Sequence, residues 1–207
     1  MRTINVKITF TEDILGTQPA DLDIYRKFIA SKAPDASTIE DEVAAIGVDA
    51  VAEKNMTIFP RMEDGRPFLY DYQIKGFFKD TAQALQRLKD NDQDGLARVT
   101  CSPEMKAYRK IIDGLIFPNP RQIPFDFDGD IALCQRPLRA STPLGERVAL
   151  NISEAIPAGA TITFSVTCLN DQHIDAVREW LDYGIYRGIG QWRNSGKGRF
   201  TWEELSD

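Results

Sequence analysis

One order of events occurs twice along this chain. A strand-like run, a loop and an amphipathic helix follow one another over residues 68–89, and again over residues 161–183. A helix with one apolar face needs a sheet or a second helix to cover it, so the duplication sharply limits the architectures available. With a further strand at the start of the chain, it predicts an α+β fold on a ferredoxin-like core, β-α-β-β-α-β, with an antiparallel sheet and insertions.

The first strand is read from Val6, Ile8 and Phe10 alternating with Lys7 and Thr9; period 2 marks a half-buried strand. A turn at Leu15-Gly16-Thr17 opens an acidic insertion over residues 17–55, with helical spacing at 21–31 and 37–53. Ser37 or Thr38 caps the second of these, and Glu40 and Asp41 suit its first turn. Met56-Thr57-Ile58-Phe59-Pro60 and Pro67-Phe68-Leu69-Tyr70 flank Glu63-Asp64-Gly65, which reads as a hairpin. A helix over about 76–89 then carries Phe77, Phe78, Ala82, Leu85 and Leu88 on one face, before a loop at 91–95.

Residues 114–152 form a β-rich insertion broken by Pro and Gly, and 157–160 is a turn. The helix at 171–183 is capped by Asn170 or Asp171 and turns Ile174, Val177, Trp180 and Leu181 inward. The 207 residues are long enough for one core, and the whole chain, 1–207, is read as a single domain carrying both insertions.

Charge is distributed unevenly. Residues 1–65 hold 7 Lys and Arg against 12 Asp and Glu, whereas 184–201 hold Arg187, Arg193, Lys197 and Arg199 and no acid. Cys101, Cys134 and Cys168 lack the close pairing of zinc or redox motifs and are expected to be reduced. No apolar run approaches membrane length, and the N-terminus leads straight into a strand, so a cytoplasmic protein without membrane contact is expected.

The acid-free segment is also rich in glycine: Gly188, Gly190, Gly196 and Gly198 share residues 188–200 with Trp192, Arg193, Lys197, Arg199 and Phe200. Glycine permits positive φ and close backbone approach, so the segment suits a phosphate backbone. Its spacing fits neither a phosphate loop nor a dinucleotide fingerprint, and a hairpin that only turns the chain is the competing reading.

Two segments together resemble one family. Asp64-Gly65-Arg66-Pro67-Phe68-Leu69, followed by Ile74-Lys75-Gly76-Phe77-Phe78-Lys79, is similar to the strand end and Lys-Gly helix start of the CRISPR-associated RAMP superfamily, the RNA-recognition-motif-like backbone subunits and repeat endoribonucleases. The glycine-rich stretch closing in Gly198-Arg199-Phe200 looks like that superfamily's glycine-rich loop, and residues 155–164 resemble the strand before its final helix. At Tyr70-Asp71-Tyr72-Gln73 the chain departs from the small residues usual there. The resemblance implies a divergent member, suited to a phage or prophage as well as to a CRISPR locus, whose sheet and loop hold single-stranded RNA.

On that reading the RNA-binding residues are Lys75, Gly76, Lys79, Arg136, Arg139, Gly188, Gly190, Arg193, Gly196, Lys197, Gly198 and Arg199. Lys75 and Lys79 would lie at a helix start, as phosphate contacts or as ordinary solvated lysines. Arg136 and Arg139 fall on a β-hairpin that reaches over RNA or is simply solvated. Tyr70 and Tyr72 are placed to stack on bases, and Trp192 is either a stacking platform or a core anchor.

His173 is the sole histidine, which excludes a histidine pair and suits a capping or surface role. Asp13, Asp21 and Asp23 are the loop aspartates available to a cutting subunit, and Asp126, Asp128 and Asp130 lack the glutamate of a calcium loop. The leading expectation is therefore a non-catalytic binder of single-stranded RNA, or single-stranded DNA, with no cofactor and no metal. It would assemble along the nucleic acid or dock to a protein complex. The alternatives are a RAMP-type endoribonuclease and a phage protein that inhibits a nucleic-acid-binding complex through its acidic arm.

Overall fold

The computed structural model describes residues 1–20, 56–88, 101–102, 104–142 and 145–206. The predicted helices at 21–31 and 37–53 and the loop at 91–95 lie outside them. In chain order the strands and helices are β1 (Arg2–Phe10), β2 (Ile14–Leu15), β3 (Gln18–Pro19), β4 (Met56–Ile58), β5 (Phe68–Tyr70), α1 (Asp71–Leu85), α2 (Tyr108–Leu115), β6 (Ile116–Asn119), β7 (Gln122–Asp126), β8 (Ala132–Thr142), β9 (Gly145–Ile156), β10 (Thr161–Cys168), α3 (Ile174–Asp182) and β11 (Phe200–Leu205). The fold is α+β with antiparallel sheets, and the chain divides into two compact units: Met1–Ile14, Arg61–Gly129 and Pro157–Asp207 form the first, Leu15–Pro60 and Asp130–Ile156 the second.

The first unit is built on a sheet in the order β11-β1-β10-β7-β5, with β6 also on β10. Every pair in it is antiparallel. The alternation in β1 sends Ile4, Val6, Ile8 and Phe10 to the buried face. Their register opposite Val166, Phe164 and Ile162 puts the apolar residues of both central strands on the same side. The opposite side carries Thr3, Asn5, Lys7 and Thr9 of β1 and Thr161, Thr163, Ser165 and Thr167 of β10, so the two central strands present no aromatic ring there.

Helix α1 contributes Ile74, Phe77, Phe78, Ala82 and Leu85 to the core, and α3 contributes Ile174, Ala176, Val177, Trp180 and Leu181. Phe78 and Trp180 meet at 5.4 Å between ring centroids, and Phe77 meets Phe200 of β11 at 5.2 Å. Each fully buried aliphatic or aromatic side chain stabilises the unit by about 1.5–3 kcal/mol. Trp180 also has a polar end to satisfy. Its Nε1–H donates to Ser102 Oγ at 2.8 Å, while the Glu179 carboxylate accepts from the Cys101 and Ser102 N–H groups at 3.0 Å each.

The predicted helix at 171–183 is present as a 3-10 turn, Asp171–His173, running into α3, and Asn170 Oδ1 accepts from the Gln172 N–H at 3.1 Å. The first helix departs from expectation by starting at Asp71, five residues earlier than read. Gln73 reaches back to accept the Tyr70 N–H at 2.8 Å, which caps the helix and ends β5 there. The arms read as a hairpin also separate. β4 pairs with β3 and, in parallel, with β9, whereas β5 pairs with β7; a single bridge, Arg61 to Pro67, joins the arms. Pro60 and Pro67 have no N–H to donate, so a ladder between them cannot extend.

The stretch expected to be a β-rich insertion is shared out: β6 and β7 belong to the first unit and β8 and β9 to the second. Helix α2, where the sequence reading assigns no helix, buries only Ile112. In the second unit β8 and β9 form a long hairpin, registered from Ala132↔Ala155 to Thr142↔Gly145. Gly16 lies close against β4, where a Cβ would run into the Ile58 main chain, and its N–H donates to Glu154 O of β9 at 2.9 Å. Glu154 in turn accepts the Phe59 N–H at 2.8 Å. Among the described residues no helix is long and apolar enough to cross a membrane.

Candidate nucleic-acid interface

The glycine-rich stretch leaves α3 through a 3-10 turn, Tyr183–Ile185, and closes on itself. Ile189 N–H donates to Gly198 O at 3.0 Å, Gly198 N–H to Asp13 O at 2.8 Å, and Thr11 N–H to Arg199 O at 2.9 Å. A Cβ on Gly188 would overlap the main chain of Lys197 and Gly198, and one on Gly198, at φ +72°, would overlap Ile189 O. These two glycines are therefore required by the chain's own backbone. The amides of Gly196 and Gly198, expected to be open to a phosphate, donate instead to Arg193 O and Asp13 O.

Ion pairs hold three cations of the closed loop and its approach in place. Arg193 Nη1 lies 2.8 Å from Asp80 Oδ2, and Lys197 Nζ lies 2.7 Å from Asp13 Oδ2. Arg187 also reaches Asp80, with Nε 2.7 Å from Oδ2. Arg199 is exposed, passes its guanidinium beside Gly196, and makes no ion pair among the described residues. Three positive groups thus meet two carboxylates, and Arg199 stands beside them. The hydrogen bond from Lys197 is the main influence holding the Asp13 carboxyl below its ordinary value, and the Ala158 N–H adds to it.

Asp13, one of the loop aspartates considered for catalysis, is accordingly engaged in holding the loop; Asp21 and Asp23 lie outside the described residues. Trp192 is 41% exposed, with φ +54°, so the core-anchor reading fails and Phe200 takes that place. Trp192 therefore stands at the loop surface rather than in the core.

At the first helix the Lys75-Gly76 step lies inside α1, so the field of a helix start does not act on Lys75 or Lys79. Lys75 Nζ sits 4.4 Å over the Phe117 ring and donates to Asp113 O at 3.3 Å, while Lys79 pairs with Asp113 Oδ1 at 2.6 Å. A Cβ on Gly76 would meet nothing within 4 Å. Tyr70 and Tyr72 stack on each other at 5.0 Å and 17°, the Arg121 guanidinium lies 5.8 Å from the Tyr70 ring, and Tyr72 is 54% exposed.

Arg136 and Arg139 belong to β8 in the second unit, and Arg136 is buried at 7% exposure, which removes it from a solvated loop. Burial holds the His173 imidazole below its ordinary value and pushes the Cys168 thiol up to about 11, with Asp171 adding to the latter. All three cysteines are free thiols. Among the described residues no three His, Cys, Asp or Glu side chains gather as a metal site. Sequence reading missed Arg187 and Asp80. Arg187 belongs to the same acid-free run as Arg193, and Asp80 follows Phe78 and Lys79 on α1, but their meeting spans 107 positions of sequence.

No protein-family model matches the chain, and no curated protein matches it in sequence. The chain is similar to chains of solved structures, among them the following two. A chain of a cryo-EM structure described as type III-B Cmr-beta bound to cognate target RNA aligns over 99% of this chain at 11% identity and a TM-score of 0.48. This chain spans 58% of that one. A chain of a type IV-B CRISPR complex aligns over 99% of this chain and 91% of its own length, at 10% identity and a TM-score of 0.48.

Proposed function

We propose that this protein is a non-catalytic binder of single-stranded nucleic acid, RNA in the first place, of the kind the RAMP resemblance implies. The observation that carries the reading is the charge of the glycine-rich loop. Three cations held on two carboxylates, with exposed Arg199 beside them, leave an excess of two positive charges on one internally hydrogen-bonded segment. A phosphate backbone is the abundant polyanion that such a fixed excess attracts. The strand order β11-β1-β10-β7, with α1 and α3 covering one face, supports reading the first unit as ferredoxin-like.

The open face of β1 and β10 offers hydroxyls and an ion-paired Lys7, Nζ 3.2 Å from Glu203, in place of aromatic rings. Base stacking is therefore assigned to Tyr72, backed by Tyr70, and to Trp192, at about 1–3 kcal/mol per stacked base. Binding of a fluorescent single-stranded oligonucleotide, measured against salt, tests the reading. The combined change Arg193→Ala, Lys197→Ala and Arg199→Ala is expected to flatten the salt slope by about 2, from about 0.7 per lost phosphate contact. Absence of binding at low salt, or an unchanged slope, would refute it.

A further inference from the structure

Arg187 and Arg193 lie six positions apart, yet their guanidinium groups converge on one carboxylate oxygen. Arg187 grips Asp80 as a fork, Nε to Oδ2 at 2.7 Å and Nη2 to Oδ1 at 3.4 Å, and Arg193 Nη1 reaches the same Oδ2 at 2.8 Å. Arg187 is steadied from behind by Nη1 on Asn194 Oδ1 at 3.3 Å. Arg193 opens a short 3-10 turn, Arg193–Ser195, locked by the Gly196 N–H on Arg193 O at 3.0 Å. Both cations are thus positioned before any ligand arrives, and the cluster retains one positive charge after Asp80 is counted. The three side chains are each about one-third exposed, so an incoming anion can reach them.

We propose that Arg187 and Arg193 form a two-arginine seat for one phosphate group of a nucleic-acid strand, and that Asp80 fills this seat in the free protein as an internal competitor. The inference rests on the nucleic-acid reading above and adds to it a residue, Arg187, and a brake. A guanidinium fork matches a pair of phosphate oxygens as it matches a carboxylate. A phosphodiester carries the same single negative charge as Asp80, so it can replace the carboxylate without unbalancing the cluster. Asp80 then turns to water, to which it is already partly open.

The test compares wild type, Asp80→Asn, and Asp80→Asn combined with Arg187→Ala, each titrated with a labelled single-stranded oligonucleotide and, separately, with inorganic phosphate read by thermal melting against chloride at equal ionic strength. Asp80→Asn is expected to bind the oligonucleotide about three- to thirtyfold more tightly, since it frees two surface ion pairs, and to gain melting temperature from phosphate. Adding Arg187→Ala should cancel both gains and flatten the salt slope by about 0.7. Equal affinities for wild type and a folded Asp80→Asn, with no response to phosphate, overturn the seat while leaving the nucleic-acid reading standing. A phosphate response in Asp80→Asn with no oligonucleotide binding by any form leaves only an anion seat, and overturns both its assignment to a nucleic-acid strand and that reading. Should Asp80→Asn fail to fold, Arg193→Ala in the otherwise native chain decides: unchanged affinity for oligonucleotide and phosphate overturns the proposal.

Discussion

Replacing Gly198 by Ala tests whether the loop's glycines serve the chain or a partner. Gly198 has φ +72°, where an L-residue is strained by about 1–2 kcal/mol. A methyl group there also collides with Ile189 O, so the two segments must part. Parting breaks the Ile189 N–H bond to Gly198 O and displaces the Gly198 N–H from Asp13 O, each worth about 0.5–1.5 kcal/mol. The sum is about 2–5 kcal/mol. Gly65 is the control, because it has φ +85° with nothing within 4 Å of its Cβ position, leaving strain alone at about 1–2 kcal/mol. Urea unfolding followed by tryptophan fluorescence separates them, with the midpoint for Gly198→Ala expected clearly below that for Gly65→Ala. Equal midpoints, combined with lost oligonucleotide binding in Gly198→Ala alone, would show that Gly198 faces a ligand and refute the closed-loop account.

Three further expectations follow from the same geometry. Gly76→Ala lies at an exposed interior position of α1 and should stabilise the protein by about 0.5–1 kcal/mol in urea unfolding without changing oligonucleotide affinity. Ser102→Ala strands the buried Trp180 N–H and removes the hydroxyl that donates to Glu179 Oε2, at a cost of about 1–3 kcal/mol in the same assay. The Asp13 carboxyl titrates below its ordinary value when folded, so its contribution to stability is present above the ordinary carboxylate range and is lost as pH falls through the folded value. Lys197→Gln should move the Asp13 midpoint, followed by carboxyl-carbon NMR, upward; an unmoved midpoint would show that Lys197 is not its cause.

What the sequence made legible is what local periodicity encodes. Val6, Ile8 and Phe10 announce β1 because a strand buried on one side must alternate, and Asn170 announces the last helix because its side chain completes the first turn. The start of α1 was misplaced because Tyr70 and Tyr72 favour strands, while the deciding group, the Gln73 side chain, acts backwards across three residues. β11 carries Glu203 and Glu204 in its second half and buries only Phe200, which leaves too faint an alternation to read. The candidate site was half visible. Its glycines and cations form a local cluster, but Asp80 and Asp13 approach from 107 and 184 positions away, a distance no spacing rule spans. Those two acids change the loop from an open cationic grip into a partly neutralised one that keeps two positive charges in excess.

The place of β1 in its sheet has a consequence for biosynthesis. β1 is made first, yet both its neighbours, β10 and β11, come from beyond residue 160, so Thr3 waits for Thr167. On a ribosome adding about 5–20 residues per second, the strand at the centre of the finished sheet spends several seconds with both edges bare. Bare edges are the surfaces on which chains mispair. Lys7 in mid-strand puts a charge on the nascent segment during that interval, and the last strand to emerge covers it with Glu203. Pairings of such long sequence separation also predict slow refolding, and the first unit is complete only once β11 has been made.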